Sequence, residues 1–119
     1  MSEDTPSSLV DSERIHLLRD KMGSSQLASL ASVIADSGAD LVTQVEVGMA
    51  SGEALQISES SHRLKGMARN IGLVALGDLA AEIQDAAAQG KIDQARGPIQ
   101  ALKDRFDRSF LMFRASLQD

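Results

Sequence analysis

The sequence predicts an all-α fold: an antiparallel up-down-up-down four-helix bundle with a short extra N-terminal helix. Three observations lead there. Apolar residues recur at steps of three and four along nearly the whole chain. Glycines at 23, 52, 72 and 90 fall where those periodic runs end. Aromatic residues are only 3% of the chain, with no Trp or Tyr, so the core is aliphatic and suits packed helices better than a sheet.

The segment 1–11, with Pro6, serines and acidic residues, is expected to be a flexible N-terminus, and 12–119 to be the folded domain. A short helix follows from Ser12 to Lys21, with Ser12 as its cap, Ile15, Leu18 and Met22 at helical spacing and Gly23 ending it. Ser24 or Ser25 is expected to cap the second helix, whose stripe is Leu27, Leu30, Ile34, Leu41, Val45 and Met49. The stripe keeps its phase across Asp36-Ser37-Gly38, which predicts one long helix with a weak centre, kinked or broken at Gly38 if anywhere. Ser51-Gly52 makes a tight connection. The third helix runs from about Glu53 to Asn70, with Ile57, Leu64, Ala68 and Ile71 on one face and His62, Lys65, Gly66 and Arg69 on another. Gly72 closes it. Leu73, Leu76, Leu79, Ala80, Ile83 and Ala87 mark the fourth helix, which Gly90 stops. The last carries Ile92, Ala95, Ile99, Leu102, Phe106, Phe110, Phe113 and Leu117, interrupted by Gly97-Pro98, where a kink or a true start is expected. Connections of a few residues make neighbouring helices antiparallel.

Composition excludes several functions. With no cysteine there is no disulfide, thiolate metal site or cysteine nucleophile. Two distant histidines and no carboxylate cluster supply no metal set. The formal net charge of −5 argues against a general nucleic-acid binder. The acidic start is no signal peptide and no apolar run can span a bilayer, so no membrane association and a cytoplasmic location are expected. There is no Gly-rich nucleotide loop.

The informative stretch is Ser61-His62-Arg63-Leu64-Lys65-Gly66-Met67-Ala68-Arg69-Asn70-Ile71-Gly72. Lys65 and Gly66 lie one helical turn beyond His62 and Arg69 a further turn along, while Leu64 points into the bundle. The arrangement is an exposed imidazole, a cation beside it and a glycine that leaves a dent in the surface. Neutral imidazole is a nucleophile near neutral pH. A nearby ammonium disfavours the protonated ring and stabilises an attached phosphoryl group. Glycine inside a helix costs roughly 1 kcal/mol relative to alanine, so Gly66 calls for a reason: access to the imidazole, which the polar cation-flanked face favours, or close packing of another helix.

This run resembles the motif of the histidine-phosphotransfer (HPt) domain family, roughly His-x-Leu-Lys-Gly with a second Gly six residues after the first. The matching positions are His62, Leu64, Lys65, Gly66 and Gly72, with Leu76 and the small Ser61 also fitting. Arg69 and Leu73 depart from it, standing where a small polar residue and alanine are common. The resemblance implies a phosphoryl carrier, not an enzyme: His62 accepts the group from a receiver-domain aspartate and passes it to another receiver. The partners it implies are response-regulator receiver domains and an upstream hybrid histidine kinase. The chain itself needs no cofactor, and Mg²⁺ sits on the partner receiver. A monomer is expected, because four helices close their own core.

Competing readings are the phosphoacceptor and dimerisation domain of a histidine kinase, and a non-catalytic helical adaptor in which His62 is incidental. Arg63 stands where the kinase type commonly has an acidic residue. His16, without such neighbours, is expected to be a surface residue. Met49 and Met67 fit core filling, and Leu18, Met22 and Leu73 are candidates for an apolar rim around the site.

Overall fold

The computed structural model describes residues 9–118, and among these every regular element is an α-helix. They are α1 (Ser12–Met22), α2 (Ser24–Ser51), α3 (Ala54–Asn70), α4 (Val74–Ala88) and α5 (Ile92–Ser116). Helices α2 to α5 form the expected antiparallel bundle: each packs on the next, α5 closes the ring against α2, and α1 lies across α2 and α5. At about 1.5 Å per residue, the 28 residues of α2 and 25 of α5 extend well past the 17 of α3 and 15 of α4. The α3–α4 hairpin is thus seated on a longer two-helix spine.

The core is the aliphatic stripe read from the sequence. Leu27, Val45, Ile57, Leu64, Leu76, Ile83 and Leu102 are fully buried, with Phe110 and Phe113 packed at a tilt on α5. Leu30, expected on this stripe, is exposed, because the buried face of α2 runs through Leu27, Ala31, Gly38, Val42 and Val45 and leaves position 30 to one side. Leu73 is fully buried and Leu18 and Met22 are packed against the core, so these three do not form an exposed rim.

Three connections share one geometry. After α3, Leu73 N–H donates to Ala68 O at 2.8 Å and Gly72 N–H to Arg69 O at 3.3 Å, and Gly72 adopts φ 83°. That left-handed backbone is the place for glycine in this terminal motif. The same bond pair recurs at Gly52 and Gly90.

Several local expectations are corrected. The cap of α1 is Asp11, whose carboxylate accepts from Arg14 N–H at 3.1 Å; Ser12 already lies inside the helix. Gly23 turns the chain within one residue, so Ser24 is helical and neither Ser24 nor Ser25 caps α2. Helix α2 passes unbroken through Gly38, which is buried: a Cβ there would stand 2.6 Å from the Phe106 ring. The glycine serves a close approach of α5, not a break. Helix α5 starts at Ile92 and runs through Pro98, so Pro98 is not its first residue. His16 is half-buried, and its Nε2 is buried with no hydrogen-bond partner among the described residues.

Of the expected flexible segment 1–11, residues 1–8 lie outside the described residues. Its last three are fixed: Leu9 and Val10 are buried in the core, and Asp11 N–H donates to Gly72 O at 2.8 Å. Two consecutive apolar side chains next to a capping aspartate outweigh the polar character of the segment.

Candidate functional site

Helix α3 sets out the site by its two faces. Ile57, Leu64 and Ala68 anchor it in the core, which turns His62, Arg63, Gly66 and Arg69 outward to solvent and leaves Lys65 half-buried. Ser61 is fully buried beside His62, and its hydroxyl donates to Ile57 O at 2.6 Å. A larger residue at that position would push against the core and shift the histidine.

The imidazole is held from the neighbouring helix. Gln84 Nε2 lies 3.1 Å from His62 Nδ1, while Gln84 Oε1 is buried without a partner among the described residues. A glutamine amide offers a donor or an acceptor according to which way it is turned. Donating to Nδ1, it leaves the ring proton on Nε2. Turned over, its oxygen accepts from Nδ1–H and the Nε2 lone pair is free. Either way the contact orients the ring and leaves Nε2 as the nitrogen without a partner among the described residues.

His62 and Gln84 line an open cleft of about 380 Å³ together with Ser58, Glu59 and Arg63. A larger cleft of about 710 Å³ adjoins it through Glu59 and Arg63 and runs toward Gln44 and Gln56. It has no histidine, and its polar floor is structural, with Ser60 donating to Gln44 Oε1 at 3.0 Å. On the other side of His62, a Cβ at Gly66 would meet nothing within 4 Å. The dent expected from the sequence is therefore open to solvent, not filled by another helix.

The two cations differ. Lys65 makes no ion pair among the described residues. Arg69 lies across α4: its Nη2 is 3.5 Å from Asp78 Oδ1, and a Cβ at Gly77 would stand 2.9 Å from its Cγ. Of the residues singled out from the sequence, His62, Lys65, Gly66 and Arg69 thus share one face of α3, and Arg69 is engaged by a neighbour that the sequence did not announce. His16 lies on α1, apart from them. Gln84 is the residue that sequence reading missed.

Among the described residues no three His, Cys, Asp or Glu side chains gather where a metal ion fits. No helix is long and apolar enough to cross a membrane.

The sequence matches the model of the Hpt domain over residues 22–110. The chain belongs to the Hpt domain family. As an Hpt domain it is a phosphocarrier of phosphorelay signalling, working by histidine phosphotransfer with receiver domains and histidine kinases. This membership displaces the dimeric kinase domain considered above. The fold is that of two solved structures. One is histidine-containing phosphotransfer protein B from Pseudomonas aeruginosa PAO1, with a TM-score of 0.84 and 19% identity, covering 92% of this chain and 94% of that one. The other is a histidine-containing phosphotransfer protein, described as putative, from rice, with a TM-score of 0.76 and 15% identity, covering 94% of this chain and 81% of that one. No curated protein matches the sequence.

Proposed function

We propose that His62 is the phosphoryl acceptor, taking the group from the aspartyl phosphate of one receiver domain and delivering it to the aspartate of another. The observation that carries this reading is the pairing of His62 Nδ1 with the Gln84 amide in an exposed side chain that lines an open cleft, so that Nε2 is the nitrogen left for chemistry. With the Gln84 amide turned over so that Nδ1–H donates to its Oε1, the Nε2 lone pair attacks phosphorus. The P–O bond of the acyl phosphate breaks, its electron pair returns to the aspartate carboxylate, and the Nε2–P bond forms. No proton has to leave the ring. The reverse step, onto a second receiver, uses the same geometry.

Lys65 supplies positive charge near the transferred group, and Gly66 leaves room for the partner's active site. The receiver brings Mg²⁺ and most of the charge stabilisation, so the chain is a carrier and not a self-sufficient enzyme. We place it in the cytoplasm as a monomer: the bundle closes its own core, and light scattering at low micromolar concentration should return one chain mass.

The deciding experiment is transfer from a panel of phosphorylated receiver domains of the same genome. The wild-type protein should acquire acid-labile, alkali-stable phosphate, His62→Gln should acquire none while remaining folded, and His16→Gln should behave as wild type. Phosphate retained by His62→Gln would overturn the assignment.

A further inference from the structure

We propose that Arg69 selects the partner: it recognises an acidic side chain on the docked receiver, and Asp78 holds it in check beforehand. This rests on the reading of His62 as the phosphoryl acceptor.

The geometry begins with the register of the hairpin. His62 on α3 meets Gln84 on α4, and seven residues on along α3 and seven back along α4, Arg69 meets Gly77. Seven residues are close to two helical turns, so Arg69 stands directly in line with His62 on the same face, about 10.5 Å along the axis. A transient interface of roughly 600 Å² per partner corresponds to a disc of about 14 Å radius. A receiver centred on His62 therefore covers Arg69 as well.

Gly77 gives the arginine its posture. With no side chain at 77, the aliphatic stem of Arg69 lies down against α4, and Gly77 is buried beneath it. The guanidinium is left half in solvent: the Arg69 side chain is 53% exposed and that of Asp78 70%. An ion pair this open is weak and breaks easily. Its 3.5 Å separation lies beyond the short distances of well-formed charge-assisted hydrogen bonds. Guanidinium also prefers planar, two-pronged partners such as carboxylates. Asp78 therefore acts as a stand-in that an incoming carboxylate displaces.

The two residues of the pair therefore have opposite effects on docking. Arg69→Gln keeps most of the stem over Gly77 and removes the charge. With the fastest phosphorylated receiver from the panel as donor, it should raise KM about three- to tenfold, with a smaller change in kcat, and should flatten the rise of KM with salt. Asp78→Asn releases the guanidinium and should lower KM about two- to threefold. In the Arg69→Gln background, Asp78→Asn should have no effect, and Arg69→Lys should recover part of the loss. A KM for Arg69→Gln within twofold of wild type would overturn the proposal. So would an Asp78→Asn variant that raises KM, since the pair would then be a structural unit. Failure of the wild-type protein to accept phosphate at all would instead strike the His62 reading, which these variants do not test.

Discussion

Gln84 reaches from α4 to α3 and sets its side-chain amide 3.1 Å from Nδ1 of His62, so the imidazole is oriented by a residue 22 positions away. Gln84→Leu keeps the bulk and removes the amide. It should slow phosphorylation of His62 about tenfold, the equivalent of one hydrogen bond of roughly 1.4 kcal/mol. Nitrogen-15 shifts of the ring should change from one dominant tautomer to a mixture. An unchanged tautomer ratio would show that the amide is only a neighbour.

Gly66 faces open space, which separates its two possible meanings. Gly66→Ala should raise stability by up to about 1 kcal/mol, because alanine is the better helix former. Gly66→Leu or Gly66→Gln should stay folded while transfer from a receiver falls. Melting temperature and transfer rate measured on the same variants check this; a proportional loss of both would mean that the position is small for packing.

Gly38 should respond the other way. Its missing Cβ would fall 2.6 Å from Phe106 and 3.1 Å from the end of the Met67 side chain. Gly38→Ala gains helix propensity but overpacks the α2–α5 contact, and the net result should be a loss of about 1–3 kcal/mol in chemical denaturation. Phe106→Leu in the same chain should restore part of it. A Gly38→Ala variant as stable as Gly66→Ala would show that the ring moves aside freely.

Lys65 is half-buried, on the site face, without an ion pair among the described residues. Lys65→Ala should slow transfer without abolishing it, by about 1–2 kcal/mol in activation free energy, less than in a closed site because solvent screens the charge. Single-turnover rates against several receivers measure this. Wild-type rates with all of them would reduce the lysine to a surface charge.

The helices and their C-terminal ends were legible because they are written in local chemistry: apolar spacing for the stripes, glycine for the turns at 52, 72 and 90. His62, Lys65, Gly66 and Arg69 were legible as one face for the same reason. What sequence spacing does not encode is the rotation and register of one helix against the next. Gln84 is one of several polar residues on α4, and nothing local distinguishes it from Glu82 or Asp85 until the hairpin closes. The pairing of Arg69 with Asp78 and the reason for Gly38 are hidden in the same way, since each depends on a side chain from another helix. Leu9 and Val10 were hidden by their polar surroundings, which resemble a loose end although both side chains are buried in the core.

The bond from Asp11 N–H to Gly72 O has one more use. It joins the segment before α1 to the turn that ends the histidine-bearing helix. Exchange of that single amide proton with deuterated water therefore times how often this segment and the turn part. A receiver that clamps the hairpin as it docks should slow this exchange, giving a clock for the carrier's breathing that can be read without following phosphate.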